Sequence, residues 1–168
     1  MGRYRPPQPP SSKYITPEGK QRLVAEVDNL WKKRRPEVTK ALAAAAAEGD
    51  RSENAEYIYR KKELREIDSR VRYLRKRLDG IVVVDRVPDD QDKVFFGAWV
   101  RVEDESGDEA IYRIVGPDEF DFKPEYISMD SPMGKALIGK SLDDEFELKL
   151  PEGEASYLIT EVSYEAIE

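Results

Sequence analysis

The chain has 168 residues, of which 28 are Lys or Arg and 35 are Asp or Glu, so its formal net charge is −7. It holds neither cysteine nor histidine, which excludes disulfides, thiolate metal sites and histidine bases and leaves any chemistry to carboxylates. No apolar run approaches the roughly 18 residues that span a bilayer, and residues 1–14 lack the apolar core of a signal peptide, so the sequence predicts a cytoplasmic protein without a membrane partner.

The charge is divided unevenly along the chain. Residues 1–79 hold 20 Lys and Arg against 12 Asp and Glu, a net +8, whereas residues 80–168 hold 8 against 23, a net −15. This asymmetry predicts that the two halves meet different partners.

The first part of the chain predicts an extension followed by a helix. Residues 1–13 are rich in proline and polar side chains, which predicts a disordered or extended segment. Thr16, Pro17 and Glu18 then supply a capping hydroxyl, a first-position proline and a first-turn acid, which are typical of a helix start. Pro36 lacks a backbone donor, so a kink or break is predicted just before it.

A second helix carries the most regular pattern in the chain. Its apolar seam follows a 3–4 spacing, with Lys61 as the one polar member; the apolar members are Tyr57, Leu64, Ile67, Val71, Leu74 and Leu78. A matching seam on the first helix and a short turn between them predict an antiparallel two-stranded coiled coil over residues 14–79. Such an arm is roughly 40 Å long.

Basic residues lie off this seam, and most are arginines: Arg60, Lys62, Arg65, Arg70, Arg72, Arg75, Lys76 and Arg77. One interpretation is a solvated face held by i,i+4 ion pairs such as Glu66–Arg70. The other is contact with phosphates, which the excess of arginine favours.

The turn between the two helices contains two acids three residues apart, Asp50 and Glu53, within the segment GDRSENAEY. One interpretation is a helix cap, with Asp50 as the N-cap residue and Glu53 completing a capping box. The other is ligation of Mg²⁺, which proteins hold by one or two carboxylates together with waters and substrate phosphates. The two interpretations are compatible, because a carboxylate has two oxygens.

From Gly80 onward the pattern changes to that of β-strands. Strands are predicted at 81–84, 95–102, 110–115 and 156–162, and Ser131 and Pro132 begin a short helix. Residues 80–168 therefore predict a small twisted sheet with one helix, and the chain as a whole is of the α+β class. The aromatic residues are interpreted as core: Phe95, Phe96, Trp99 and Tyr112.

Several motifs occur in order along the chain: RPEVTK, GDRSENA, VFFGAWV, YISMDSPMGKAL and PEGEASY. Together they resemble the Gre transcript-cleavage factors of bacterial RNA polymerase, in particular the GreB branch, over about residues 13–161. The GreA branch usually has Leu where Arg51 stands and a less basic second helix. The longer proline-rich N-terminus departs from the family pattern.

The resemblance implies a coiled coil joined to a globular domain similar to FK506-binding proteins. It implies that this domain docks beside the secondary channel of RNA polymerase through Asp130, Ser131 and Pro132. The hairpin tip would reach the active centre, where Asp50 and Glu53 would help the polymerase hold a second Mg²⁺ for cleavage of backtracked RNA. The basic face would guide the nascent RNA 3′ end, and its candidate contacts are Arg60, Lys62, Arg65, Arg72 and Arg75.

In this interpretation the protein is a monomer, is no enzyme by itself, and stimulates the nuclease activity of the polymerase. Three alternatives stay open. The first is a paralogue that binds the channel without stimulating cleavage, although both tip acids are present. The second is a free-standing nucleic-acid-binding coiled coil, which the acidic second half disfavours. The third is a prolyl isomerase, a function that the fold alone does not carry.

Overall fold

The structure is a computed structural model that describes residues 9–50 and 53–168. One compact unit is Glu18–Ile81, and the other combines the described residues before Glu18 with Val82–Glu168. The first unit is a helical hairpin and the second is a mixed β-sheet with a short helix, which confirms the predicted α+β class. Among the described residues, no helix is long and apolar enough to cross a membrane.

The boundary between the units differs from the one predicted at residue 14. Tyr14–Ile15 (β1) pairs in parallel with Val82–Val83 (β2), so these residues belong with the sheet unit. Of the predicted extension 1–13, residues 1–8 lie outside the described residues. Ser12, by contrast, makes hydrogen bonds to Asp130, so at least this part of the extension is held against the sheet unit.

The hairpin consists of α1 (Pro17–Asn29), a π-helical segment (Leu30–Arg34), α2 (Arg35–Ala46) and α3 (Ala55–Gly80). The chain stays helical through the position of Pro36, so of the predicted kink or break the break does not occur, and a wider turn precedes the proline. Pro36 has no N–H to donate, and the Arg35 N–H bonds to the Leu30 carbonyl five residues back. A π-type turn accommodates the missing donor without ending the helix.

The seam predicted for α3 forms the contact between α2 and α3. Val38, Ile67 and Val71 are buried together, and Leu30 and Leu64 pack against them. Each fully buried aliphatic side chain of this kind stabilises the fold by roughly 1.5–3 kcal/mol. The hairpin is therefore held mainly by this apolar strip.

Ion pairs flank the apolar strip and show the relative direction of the two helical arms. Arg35 bonds to Asp68 through Nε at 2.7 Å, and Arg70 bonds to Glu26 through Nε at 2.9 Å. Residue numbers fall along one helix as they rise along the other, so the hairpin is antiparallel, as predicted.

The sheet unit contains five strands in the order β5-β4-β3-β7-β6. The strands are β3 (Trp99–Asp104), β4 (Glu109–Val115), β5 (Tyr126–Ser128), β6 (Glu145–Leu150) and β7 (Gly153–Ser163), and the short helix is α4 (Pro132–Leu137). All neighbouring strands are antiparallel except β4 and β5, which are parallel.

The core of this unit lies between the sheet and α4. Val100, Ile114 and Ile159 from the strands meet Leu137 from the helix, and all four are fully buried. Of the aromatic residues predicted as core, Trp99 is buried and Tyr112 packs against the cluster. Phe96 is half-buried, whereas Phe95 is 37% exposed, so the core interpretation is wrong for Phe95.

Candidate functional site

The hairpin tip is a turn between α2 and α3 that spans residues 47–54. Arg51 and Ser52 lie outside the described residues. Asp50 and Glu53 are both exposed, and neither belongs to a helix. The structure thus brings the two predicted acids into one solvent-facing turn.

The cap of α3 is made by a residue that the sequence analysis did not single out. Asn54 is the N-cap, and its Oδ1 accepts the Tyr57 N–H at 3.0 Å. The prediction that Asp50 is the N-cap residue, with Glu53 three positions on, is therefore wrong. Asn54 had a detectable signal, because asparagine is among the best N-cap residues and it directly precedes the helical segment.

Asn54 also ties the two ends of the turn together. Its Nδ2 donates to the Ala45 carbonyl at 2.7 Å, so one side chain satisfies a donor of α3 and an acceptor near the end of α2. Gly49 of the same turn has a φ of 134°, in the region that favours glycine. Asn54 thus links the end of α2 to the start of α3, on either side of the two acids.

The tip offers two carboxylates as possible oxygen ligands for Mg²⁺. Within the described residues, no group of three or more His, Cys, Asp or Glu side chains could hold a metal ion. Mg²⁺ keeps several waters and commonly takes only one or two protein carboxylates beside substrate phosphates. Asp50 and Glu53 on an exposed turn therefore fit a cation site shared with another molecule rather than a closed cage.

The predicted RNA contacts all lie on α3, but some of their charge is used within the hairpin. Arg60 donates to Glu56 at 2.8 Å and to Glu63 at 3.0 Å, so two carboxylates already neutralise it. Lys62 lies 3.9 Å from Glu66, and both side chains are largely exposed, which makes this a weak pair.

The other three candidates are different. Arg65, Arg72 and Arg75 are exposed, and no ion pair joins any of them to a carboxylate among the described residues. Their charges remain available for a partner. The interpretation of the face as purely a set of i,i+4 pairs therefore fits Arg60 and Lys62 but not these three arginines.

The predicted docking residues lie together where α4 begins. Ser131 is the N-cap of α4: its Oγ accepts the Gly134 N–H at 3.0 Å and donates to the Ser128 carbonyl at 2.6 Å. Pro132 occupies the first turn of the helix and is exposed. The hydroxyl of Ser131 thus shapes the loop, whereas the ring of Pro132 faces solvent.

Asp130, the first of the predicted docking residues, is engaged within the fold. It is half-buried, and its two carboxylate oxygens accept bonds from Ser12, one from the backbone N–H at 2.9 Å and one from the hydroxyl. The start of the described chain is therefore fastened to the predicted docking loop. The bonding partner is 118 positions away in sequence, so local patterns do not reveal it.

A second buried acid was also missed. Glu119 is fully buried, and its carboxylate accepts the Thr16 N–H at 2.8 Å and bonds the Thr16 hydroxyl at 2.6 Å. Burial raises the pKa of Glu119, although the bonds from Thr16 oppose that rise. The residue has a structural role, because its carboxylate accepts the backbone N–H of Thr16, the residue that follows β1.

Comparison with known families identifies the chain. The family model described as transcription elongation factor, N-terminal, matches residues 13–83, and the model described as transcription elongation factor, GreA/GreB, C-term, matches residues 89–164. The chain belongs to the GreA/GreB family of transcription elongation factors. These two matches cover both the helical hairpin and the sheet unit.

Individual relatives of the GreA/GreB family agree with the GreB branch that the motifs predicted. The chain is 57% identical to transcription elongation factor GreB of Pseudomonas aeruginosa over 164 residues, 98% of each chain. It is 57% identical to GreB of Xanthomonas axonopodis pv. citri over 168 residues, 99% of this chain and all of that one. A solved structure of the transcription factor Gfh1 is 27% identical, with a TM-score of 0.43, and covers 90% of this chain and 97% of that one.

Proposed function

We propose that this GreA/GreB-family factor enters the secondary channel of bacterial RNA polymerase and stimulates Mg²⁺-dependent cleavage of backtracked RNA. The hairpin tip carries the proposal. Asp50 and Glu53 lie exposed on a turn, and the N-cap of the helix that follows is Asn54 rather than either acid. Acids held in this way at the end of an arm suit delivery to the active site of another molecule.

In this role the two carboxylates act as oxygen ligands and orient a water. A bound Mg²⁺ supplies Lewis acidity and lowers the pKa of water at the phosphodiester. Asp50 and Glu53 would complete a cation site that the polymerase provides in part, and would direct the attacking water toward the phosphorus. The chain would be no enzyme by itself, because two carboxylates without the polymerase leave the site incomplete.

The second unit is proposed to dock the factor on the polymerase through Asp130, Ser131 and Pro132. The exposed ring of Pro132 and the fixed start of α4 support this assignment. The arginines without ion pairs among the described residues, Arg65, Arg72 and Arg75, are proposed to guide the RNA 3′ end along α3. The factor would act in the cytoplasm as a monomer.

The decisive experiment replaces both tip acids without changing their shape. Asp50→Asn with Glu53→Gln should leave the helix start intact, because the cap is Asn54. Transcript cleavage in stalled complexes should fall strongly while affinity for the polymerase stays unchanged. Raising Mg²⁺ should recover part of the rate if the defect is weak cation affinity.

Glu48→Gln provides the matched control, since Glu48 is an exposed acid of the same turn. It should leave cleavage near the wild-type rate. Near-normal cleavage by the double variant would end the catalytic assignment. A wild-type protein that binds the polymerase but yields no cleavage would instead indicate a regulator of the channel.

The docking assignment needs a control for the Ser12 contact. Asp130→Ala should weaken binding to the polymerase while the sheet unit keeps its fold. Ser12→Ala removes one of the two bonds to the carboxylate but leaves the acid in place. Full binding by Ser12→Ala together with weak binding by Asp130→Ala would locate the effect at the carboxylate. Unchanged affinity of Asp130→Ala for the polymerase would mean that the docking surface lies elsewhere.

A further inference from the structure

The hairpin exposes a tryptophan beside the basic face of α3. Trp31 lies in the π-helical segment, and 42% of its surface is exposed. The guanidinium carbons of Arg35 and Arg75 lie over its ring, at 4.9 Å and 4.6 Å from the centroid. The ring is thus partly exposed and is contacted by two cations.

The two arginines at the ring are not equivalent. Arg35 is fixed by Asp68, to which its Nε donates at 2.7 Å, and it can hold the indole in place. Arg75 has no ion pair with the described residues, and neither has Arg72 nearby. One cation–π contact is enough to hold the ring, so the second guanidinium is available for another partner.

These residues enclose an open recess of about 330 Å³, which we name the Trp31 recess; it is lined by Trp31, Arg35, Asp68, Val71, Arg72 and Arg75. Three arginine side chains line it, and the one carboxylate in its lining, that of Asp68, already bonds to Arg35. The recess therefore combines an aromatic face with an excess of two positive charges. Aromatic rings beside arginines are the combination that binds single-stranded nucleic acid.

A second aromatic on the hairpin provides a contrast. Tyr73 is 47% exposed, and Arg70 lies over its ring at 5.6 Å. Arg70, however, donates to both carboxylate oxygens of Glu26, at 2.9 Å and 3.1 Å. The cation over the Tyr73 ring is thus paired with an acid, whereas Arg75, over the Trp31 ring, has no ion pair with the described residues.

We propose that the Trp31 recess is a stacking site for one base of single-stranded RNA, with the flanking phosphates bound by Arg72 and Arg75. The choice of RNA rests on the proposed function, and the site extends the basic face of α3 onto the other helical arm. An acidic peptide would use the arginines but would have no need of the indole face. Any of the four bases can stack there, because every base has a π-face.

The test uses the full chain and an eight-residue oligouridylate at low salt, without polymerase. The chain has two tryptophans, and Trp99→Phe leaves Trp31 as the fluorescent reporter. The oligonucleotide should quench this fluorescence saturably. By anisotropy with a labelled oligonucleotide, Trp31→Leu should weaken binding about tenfold, whereas Trp31→Tyr should keep most of the affinity. Leu retains the apolar bulk, so both variants keep the helix.

Two further variants localise the effect. Arg75→Gln should reduce the salt dependence of binding by roughly 0.7 in the logarithmic slope, the value for one phosphate contact with a single strand. Tyr73→Ala, the matched control, should bind like wild type. Equal affinity for Trp31→Leu and wild type would overturn the proposal, and so would an equal loss in Tyr73→Ala. Saturable quenching by oligoglutamate with none by RNA would also overturn it, in favour of an acidic protein partner.

The oligonucleotide-binding test of the Trp31 recess and the cleavage test of the proposed function can fail independently. Asp50→Asn with Glu53→Gln should bind the oligonucleotide as wild type does, because the tip acids are not part of the recess. Loss of cleavage with intact quenching would leave the stacking site standing. Intact cleavage of short backtracked complexes without quenching would remove the stacking site alone.

Discussion

Asn54→Ala tests how the hairpin tip is held. The substitution removes the N-cap bond to the Tyr57 N–H at 3.0 Å and the bond to the Ala45 carbonyl at 2.7 Å. Loss of the cap costs about 1 kcal/mol, and loss of the second bond about as much again. Because both bonds lie within one turn, the sum of roughly 2 kcal/mol should appear as easier opening of the tip.

Amide hydrogen exchange at Tyr57, measured by NMR, reports this opening directly. A loss of about 2 kcal/mol corresponds to exchange that is roughly 30-fold faster in Asn54→Ala. Asn54→Ser keeps a capping oxygen but cannot bridge to Ala45, so exchange should be only about fivefold faster. Transcript cleavage should fall in the same order, since the link between the two ends of the turn that carries the acids at 50 and 53 is weakened.

Two results would refute this reasoning. Exchange at Tyr57 within twofold of wild type in Asn54→Ala would mean that another group caps the helix. A comparable acceleration in Asp50→Ala, which removes the side-chain oxygens, would return the capping role to Asp50. Binding to the polymerase serves as the control and should be the same in all of these variants.

Three further predictions concern the rest of the chain. Burial raises the pKa of Glu119 in the folded protein. The protonated side chain of Glu119 therefore contributes its full stabilisation at pH values below its pKa in the unfolded chain, and this stabilisation is lost as pH rises through its pKa in the folded protein. Glu119→Gln, which can keep both bonds to Thr16, should remove that loss in urea unfolding from acid to neutral pH; an unchanged pH profile would contradict this. Gly116→Ala should cost about 1–3 kcal/mol in the same assay, because the added Cβ would lie 2.1 Å from the Tyr14 carbonyl oxygen, and an unchanged midpoint would argue against that contact. Arg65→Glu should shift the melting temperature by less than about 2 °C, and a larger shift would show that the exposed arginine stabilises the hairpin.

Local patterns were sufficient to predict the class of the fold. The seam through Leu64, Ile67 and Val71 repeats at helical spacing, and the strands after Gly80 are rich in β-branched and aromatic residues. These periods reflect which face of each element is buried, so they can be read without knowing the partner element. The split of charge between the halves and the ordered motifs likewise belong to the sequence alone.

Two of the short strands, β1 and β5, were not predicted. Tyr14–Ile15 and Tyr126–Ser128 have only two and three residues, too few to show an alternating pattern. Each is a strand because a neighbour pairs with it, Val82–Val83 in the first case and β4 in the second. Only the tertiary structure supplies those neighbours.

The tip and the docking loop show where the sequence stops being decisive. Asp50 and Asn54 have similar capping propensities, and the choice between them depends on which backbone leaves helical geometry and can also reach Ala45. Asp130 is engaged by Ser12, which is distant in sequence and carries no local signal. The sequence determined which carboxylates the chain offers, because their identity and spacing are covalent. The tertiary structure determined which of them are occupied within the fold, because a hydrogen bond depends on the positions that the whole chain gives its donor and acceptor.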